Sequence, residues 1–153
     1  MPSREARRDE PESVHTLEHC DLIERAGERD AFRISSDTYM CPDTKLAAAL
    51  SAGTLLEITA LVMRGELKNG FAVIRPPGHH AERGEAMGFC MYNNVAVAAQ
   101  VAQRQWGAER ILVFDWDIHH GNGTQHIFEA DADVAVADSL ECLHHRQRSF
   151  AKL

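Results

Sequence analysis

The segment RILVFDWDIHHGNG, residues 110–123, decides how this chain folds. It opens with an apolar run, Ile111–Phe114, which is short and rich in β-branched and aromatic side chains and so predicts a buried strand. Acidic residues and histidines follow at once, and Gly121 and Gly123 predict a turn after them. A strand that delivers reactive side chains into a loop at its carboxyl end is typical of a parallel α/β sheet.

The sequence on either side extends this pattern. Helices are predicted over residues 14–26, 45–64, 95–106 and near 124–129, and two further strands over 71–74 and 133–137. Residues 75–89 contain paired prolines and three glycines, so they are expected to be irregular. The order helix–strand–helix–strand–helix–strand predicts a parallel sheet covered on both faces, with the ligand site beyond the carboxyl ends of its strands.

Length and composition predict one domain. The chain has 153 residues, of which 44% are hydrophobic, enough for a single core. Residues 1–13 are polar and are interpreted as a disordered lead-in, residues 14–134 as the domain, and residues 135–153 as a divergent basic tail. The four cysteines, Cys20, Cys41, Cys90 and Cys142, show no Cys-x-x-Cys spacing, so we interpret them as reduced thiols of an intracellular protein.

Charge and hydropathy argue against nucleic acids and membranes as partners. Lys and Arg together number 16 against 23 Asp and Glu, a formal net charge of −7, whereas a protein that binds nucleic-acid phosphates is normally basic. No run approaches about 18 consecutive apolar residues, so no membrane partner is expected. The N-terminal residues lack the apolar core of a secretory signal.

The Asp-x-Asp-x-His-His motif is the sharpest chemical signal. Residues two apart in an extended segment face the same side, so Asp115, Asp117 and His119 are predicted to converge, with Trp116 and Ile118 turned the other way into apolar packing. Carboxylate and imidazole groups at this spacing can chelate a divalent ion such as Zn²⁺. The alternative is a strand end with solvated carboxylates and a capping histidine.

A second candidate site follows the predicted strand 71–74. Pro76 and Pro77 fix the backbone before His79 and His80, two side chains suited to proton transfer near neutral pH. The alternative for this pair is a solvated turn with incidental histidines. A third segment, Gly88–Phe89, can form the apolar wall of a substrate channel, although ordinary core packing of Phe89 is also open.

Two stretches carry a family resemblance. GFAVIRPPGHHAERGEAMGFCMYNNVAVAA, residues 70–99, and RILVFDWDIHHGNGTQHIFEADADV, residues 110–134, resemble the catalytic domain of class II histone deacetylases, with most similarity to the tubulin-deacetylase branch. The resemblance implies an arginase/deacetylase-like three-layer α/β/α sandwich with a parallel sheet, present only as its N-terminal part.

The resemblance also implies roles for the motif residues. Asp117 and His119 correspond to zinc ligands. His80 corresponds to the general base and acid, and His79 to its electrostatic partner. Asp115 corresponds to the residue behind His79 and also to part of a monovalent-cation (K⁺) site, and Asn122 to the residue behind His80. Gly88 and Phe89 correspond to the lining of the acetyl-lysine channel. Asp37 corresponds to the loop that binds the substrate backbone.

The chain departs from the family pattern in two catalytic residues. The family has a third zinc ligand, an Asp, and an oxyanion-stabilising Tyr, both downstream of the Asp-x-His unit, and neither has a match in this sequence. Tyr39 and Tyr92 precede that unit. Residues that could replace the missing ligand are Asp131, Asp133, Asp138, His126 and His144. A truncated or alternatively spliced product is expected, with an unpaired sheet edge and exposed apolar faces.

The implied function is zinc-dependent hydrolysis of acetyl-lysine in histones, tubulin or other proteins, an activity linked to the regulation of chromatin and transcription. The expected partners are acetylated proteins and corepressor-type proteins, in the cytoplasm, the nucleus or both. This chain is expected to be an incomplete and inactive form. Two alternatives remain open, namely a non-catalytic isoform that acts as a binding fragment and an acetylpolyamine amidase.

Overall fold

The computed structural model describes residues 3–28 and 30–139. These residues form four α-helices, four strands and two short 3-10 helices. In chain order the elements are the 3-10 helix Pro11–Ser13, α1 (Leu17–Glu24), the 3-10 helix Arg25–Glu28, β1 (Phe32–Arg33), β2 (Tyr39–Met40), α2 (Thr44–Met63), α3 (Asn94–Trp106), β3 (Ile111–Asp115), α4 (Asn122–Phe128) and β4 (Val134–Asp138). Each predicted helix is present, with its ends moved by a few residues.

Local capping explains where two of the helices start and end. The hydroxyl of Thr16 accepts the His19 N–H and so starts α1. The side chain of Asn93 accepts the Ala96 N–H at 3.1 Å and starts α3. At the other end of α3, Gly107 takes a left-handed conformation with φ of 72°, which glycine adopts without steric cost. Asn93 and Gly107 thus bound α3, which the sequence predicts over residues 95–106.

Helices α2 and α3 pack against each other and supply most of the core. Leu56 of α2 and Val97 and Val101 of α3 are fully buried in one apolar cluster, which continues to Ile127 and Phe128 of α4. By length and composition alone, α2 could cross a membrane. Its contacts with α3 and the burial of Leu56 are also what a core helix of a folded domain requires.

The main sheet consists of β3 and β4, which pair in parallel from Ile111 opposite Val134 to Asp115 opposite Asp138. One face of this sheet packs on the core through Ile111 and Val113. The other face carries exposed apolar side chains, so the expected uncovered face is confirmed. Among the described residues, helices pack only on the first face of the sheet, as expected for the N-terminal part of a three-layer sandwich.

The predicted strand 71–74 is absent. Within residues 3–28 and 30–139 this segment pairs with no strand, and Phe71 and Val73 are 81% and 89% exposed. A strand needs a neighbouring backbone to bind its N–H and C=O groups, and no described strand lies beside this one. The apolar run therefore lacks the partners that its composition calls for. The following segment, 75–89, is irregular as predicted, apart from an isolated bridge between Met87 and Cys90.

The predicted disorder of residues 1–13 is wrong for residues 3–13. The Ala6 N–H donates to the Ala49 carbonyl of α2 at 2.8 Å, and the carboxylate of Glu10 is buried. That carboxylate accepts two hydrogen bonds from Arg4, both at 2.8 Å, and one from the Arg7 N–H at 2.7 Å. Charged composition in this segment reflects an internal ion-pair cluster rather than a solvated tail, because a buried carboxylate is stable only when its oxygens are bonded.

The predicted boundary between residues 134 and 135 falls inside β4, so it does not separate two structural units. Pairing with β3 continues through Asp138, and the Ser139 N–H donates to the Asp115 carbonyl at 2.9 Å. Residues 140–153, which make up most of the predicted basic tail, lie outside the described residues.

Candidate active site

The loop that carries His79 and His80 is fixed by two helices. The side-chain N–H of Asn93, the cap of α3, donates to the Ala81 carbonyl at 3.3 Å and to the Thr124 hydroxyl of α4 at 3.1 Å. Gly123 of α4 lies so close to Ala81 that a Cβ on Gly123 would collide with its backbone. The two histidine rings consequently lie side by side, with their centroids 4.0 Å apart.

His79 is paired with the acidic residue that the sequence predicts behind it. Its Nδ1 lies 2.8 Å from Oδ2 of Asp115, at the end of β3. Because an ionised carboxylate can only accept, this nitrogen carries the proton. The other carboxylate oxygen accepts the Asp117 N–H at 3.1 Å. A Cβ on Gly121 would lie 2.5 Å from Asp115 Oδ2, so only glycine leaves room for this pair.

His80 is paired with Asn122, the first residue of α4. Its Nδ1 lies 2.7 Å from the Asn122 side-chain oxygen. The amide nitrogen of Asn122 lies 2.6 Å from Oε1 of Glu82, a contact that the sequence did not predict. Gly88 packs across the His80 ring, because a Cβ at that position would collide with it. His80 is thus positioned on one side by α4 and on the other by the Gly88 turn.

The predicted zinc ligands lie together on the exposed side of the loop after β3. Asp117 Oδ1 accepts hydrogen bonds from the His119 N–H and from His119 Nδ1, each at 2.8 Å. These two bonds lower the pKa of the Asp117 carboxyl. Asp115 turns toward His79 instead, so the predicted convergence of three side chains holds only for Asp117 and His119.

The predicted apolar packing of Trp116 and Ile118 is wrong among the described residues. Both side chains do turn away from the ligand pair, as alternation requires, but they are 78% and 79% exposed. They continue the uncovered face that Leu112 and Phe114 present on β3. The alternation predicted their direction correctly, but it could not supply the layer against which they would pack.

Asp117 and His119 offer the types of donor atom that zinc binds, but they are fewer than a catalytic zinc requires. A carboxylate oxygen and an imidazole nitrogen are common zinc ligands, whereas a catalytic zinc has three protein ligands. Within the described residues, no group of three or more His, Cys, Asp or Glu side chains could hold a metal. The predicted replacements Asp131, Asp133, Asp138 and His126 therefore do not complete the site, and His144 lies outside the described residues.

The predicted channel residues form a strained turn beside His80. Gly88 and Phe89 both have positive φ angles, 55° and 64°, and the second is uncommon for a residue with a side chain. The Phe89 N–H donates to the buried hydroxyl of Thr38 at 3.0 Å, and that hydroxyl donates to Asp37 Oδ1 at 2.8 Å. Hydroxyl donation from Thr38 lowers the pKa of Asp37. The structure thus connects Asp37 with the channel turn through Thr38, which the sequence did not single out.

A buried histidine pair behind the loop also escaped prediction. His15 lies 2.8 Å from the Glu82 carbonyl through Nδ1, and its Nε2 accepts the Asn93 N–H at 3.0 Å. The His19 ring stacks on it with centroids 4.6 Å apart. Burial lowers the pKa of His15 to about 4, so the ring is neutral at pH 7. The spacing of four residues next to α1 was the only sequence signal for this pair.

Three of the four cysteines lie within the described residues, and all three are free thiols. Cys20 and Cys90 are buried, and burial raises the pKa of each thiol to about 11. Neither is therefore an activated nucleophile, which needs a lowered pKa. Cys41 is partly exposed and also free, and Cys142 lies outside the described residues.

The chain is similar in sequence to proteins named as deacetylases. A family model described as "Histone deacetylase domain" matches residues 1–150. Histone deacetylase 15 of Arabidopsis thaliana is 47% identical over 132 residues, which cover 86% of this chain and 24% of that protein. The polyamine deacetylase HDAC10 of Homo sapiens is 41% identical over 140 residues, which cover 88% of this chain and 21% of that protein.

A solved structure shares the fold. The crystal structure of the HDA15 HD domain superposes with a TM-score of 0.88 at 45% identity, covering 90% of this chain and 38% of that one. The chain therefore spans about a quarter or less of these two curated relatives and about two fifths of the solved domain.

Proposed function

This chain belongs to the histone deacetylase family. We propose that it supplies two parts of the active site with which a complete domain hydrolyses acetyl-lysine. These parts are the histidine loop, residues 78–92, which carries His79 and His80, and two zinc ligands. The observation that carries this proposal is the joint placement of the His79–Asp115 and His80–Asn122 pairs beside Asp117 and His119.

Each histidine has a role that its partner determines. His80 donates its Nδ1 proton to Asn122, so in the neutral ring Nε2 is free to take a proton from the attacking water and return it to the departing lysine amine. The His79 ring lies against that of His80 and is hydrogen-bonded to Asp115, whose negative charge stabilises the positive charge that develops on the pair.

Asp117 and His119 are the residues that would hold the zinc, with a further ligand from outside the described residues. Zinc, when bound, supplies a Lewis acid that polarises the acetamide carbonyl and makes water a stronger acid. Gly88 and Phe89 would border the path of the acetylated side chain, because their turn packs directly on His80. Asp37 would bind the substrate backbone, since Thr38 connects it with Phe89.

Two substrate classes follow from the relatives' names, which describe histone and polyamine deacetylases. We favour acetylated protein lysine, and acetylpolyamine remains the second candidate. Because Phe89 and Asp37 border the channel within this chain, the chain should itself contribute to the choice. We further propose that the 153 residues alone are inactive, since only two ligands for a zinc ion are in place among the described residues.

A chimaera tests the proposal, in which residues 3–139 replace the matching part of the HDA15 HD domain. We expect it to deacetylate an acetyl-lysine peptide faster than an acetylpolyamine, with activity abolished by a chelator. The Asp117→Ala chimaera should lose bound zinc and activity, and the His80→Ala chimaera should lose roughly 10²- to 10⁴-fold in kcat with zinc retained. Full activity of either variant would contradict the role proposed for the substituted residue.

The isolated chain provides the second half of the test. We expect the purified 153 residues to show no hydrolysis of either substrate at any zinc concentration. Chelator-sensitive hydrolysis by the isolated chain would refute its inactivity. A preference of the chimaera for acetylpolyamine would favour the second substrate class.

A further inference from the structure

Glu82 lies two residues after His80, and its side chain reaches α4. Its Oε1 lies 2.6 Å from the Asn122 amide nitrogen and 2.9 Å from His126 Nδ1. The side chain is 22% exposed, so it is partly shielded from water. The proposed reaction gives this carboxylate no role, although it touches the residue that positions the proposed general base.

The contact determines which way the Asn122 amide faces. An ionised carboxylate only accepts hydrogen bonds, so the atom of Asn122 that faces Glu82 has to be the NH₂ group. The Met87 sulfur, 3.6 Å from the same nitrogen, is a weak acceptor and favours the same orientation. The amide oxygen is then left facing His80.

The amide orientation in turn determines the tautomer of His80. An amide oxygen only accepts, so Nδ1 of His80 at 2.7 Å has to carry the proton. In the neutral ring, Nε2 is then unprotonated. The reversed amide would place NH₂ against His80 and an oxygen against the Glu82 carboxylate, which would lose one hydrogen bond and bring two acceptors together. An imidazole free in water prefers its proton on Nε2, so the opposite tautomer requires this support.

We propose that Glu82 is a positioning residue that acts through Asn122 to keep the neutral His80 ring protonated on Nδ1, with Nε2 available as the base. Its consequence for catalysis rests on the proposed function, whereas the tautomer itself does not. The carboxylate matters because Asn122 is neutral and can present either end to His80. Glu82 supplies the acceptor-only group that an amide lacks.

The protein holds Glu82 in place from three directions. His126 lies four residues after Asn122 on the same helix, and its Nδ1 contacts the same carboxylate oxygen. The Glu82 carbonyl lies 2.8 Å from Nδ1 of His15, and the Glu82 N–H donates to the Glu85 carbonyl at 2.9 Å. With backbone and carboxylate both bonded, the carboxylate is already in place for Asn122 before substrate binds.

The first test measures the tautomer directly in the 153-residue chain. Nitrogen-15 NMR of the imidazole rings at pH 8, with His80 assigned through a His80→Gln variant, should show the proton on Nδ1. In Glu82→Ala and Glu82→Gln we expect a shift toward Nε2 protonation, because a methyl group cannot orient Asn122 and an amide can pair with either end of it. Glu85→Gln is the matched control, since Glu85 is exposed in the same loop, and it should leave the tautomer unchanged.

The decisive variant restores the acceptor without Glu82. In Glu82→Ala/Asn122→Asp, a carboxylate faces His80 directly and can only accept, so the Nδ1 proton should return. A merely structural role of Glu82 would not be rescued by this change. The proposal is overturned if the single Glu82 variants retain the wild-type tautomer, or if the double variant fails to regain it while its amide spectrum shows a folded chain.

The second test measures catalysis in the chimaera. We expect Glu82→Gln to lower kcat by about tenfold, within the range for residues that orient catalytic groups, with KM unchanged. The double variant should recover most of that loss, whereas Glu85→Gln should match the parent. A chimaera without any activity would refute the proposed function and leave the NMR result to decide on Glu82. Equal kcat in Glu82→Gln and the parent would refute its catalytic consequence.

Discussion

The histidine loop is irregular but held by many hydrogen bonds, whereas strand β3 is regular but has few neighbours among the described residues. The histidine loop, residues 78–92, has almost no regular structure, yet the α3 cap Asn93, helix α4 and the residues just before α1 all hydrogen-bond to it. Strand β3 is regular, yet among the described strands only β4 pairs with it, and one of its faces is uncovered. Secondary structure therefore does not indicate which part of this chain is held firmly in place.

The difference shows how much of the site this chain completes by itself. The buried Asn93 and Thr124 side chains next to the loop are hydrogen-bonded and hold it in place, whereas His19 Nδ1 is a buried atom there without a hydrogen-bond partner among the described residues. Along β3, an open groove of about 750 Å³ runs between the strand and helices α2 and α3. The wall that positions the histidines is complete within the described residues, and the uncovered side of β3 is incomplete within them.

The largest expected effect comes from removing the Asn93 side chain, because this change removes hydrogen bonds that hold the histidine loop in place. Asn93→Ala deletes the cap of α3 and leaves the Ala81 carbonyl without its side-chain donor. We expect the free energy of unfolding to fall by about 3 kcal/mol, from the lost cap and the lost buried hydrogen bonds. Urea unfolding measures it. Gln105→Ala, an exposed position on the same helix, is the control, with an expected change below about 0.5 kcal/mol. Equal midpoints would contradict the firm support of the loop.

The next prediction concerns the pH dependence of the free energy of unfolding, which we attribute to His15 beside the histidine loop. Burial lowers the pKa of His15 to about 4 in the folded chain, against 6.5 as its ordinary value. The unfolded chain therefore binds the proton first as pH falls, so the stabilisation is fully present above pH 6.5 and is lost on going down to about 4. The loss should total about 3 kcal/mol.

Urea unfolding at several pH values between 7.5 and 4 measures this loss. His15→Gln should unfold more easily at pH 7.5 but with a flatter pH dependence. Gln105→Ala, which removes no titratable group, should keep the wild-type slope. An unchanged slope in His15→Gln would show that His15 does not cause the acid sensitivity.

The smallest effect compares the two faces of β3. Val113 packs on the core, whereas its neighbour Leu112 is exposed on the uncovered face. Val113→Ala should cost about 1 kcal/mol, from two partly buried methyl groups, and Leu112→Ala below about 0.5 kcal/mol. Unfolding of the two variants side by side measures the difference. Equal costs would show that something covers the Leu112 face in solution, so that β3 is supported on both faces.

Much of the site was predictable because its residues fall in two short motifs whose combination resembles a known family. The predicted family and fold class are confirmed, and the structure brings His79 to Asp115 and His80 to Asn122 as expected. Glu82 and His15 were missed because neither belongs to the motif residues that carried a predicted role, although the Glu82–Asn122 contact spans no more of the chain than the predicted His80–Asn122 pair does. Nothing in the composition of the loop distinguishes Glu82 from Glu85.

The errors share one physical cause. Residues 71–74 have the composition of a buried strand, and residues 3–13 that of a solvated tail, yet each behaves in the opposite way. Burial depends on what lies next to a segment, and hydropathy reports only what the segment would prefer. For Trp116 and Ile118, the alternation of side chains predicted correctly which way they point, but the predicted apolar packing around them is absent among the described residues.

The sequence by itself determined the helices, the strands β3 and β4, and the residues that carry the chemistry, because periodicity, caps and motif spacing are local properties. The tertiary structure alone decided that Glu82 faces Asn122, that His15 stacks on His19, and which apolar residues are covered. Hydrogen bonds and burial join residues that are distant along the chain, so their outcome depends on how the elements pack.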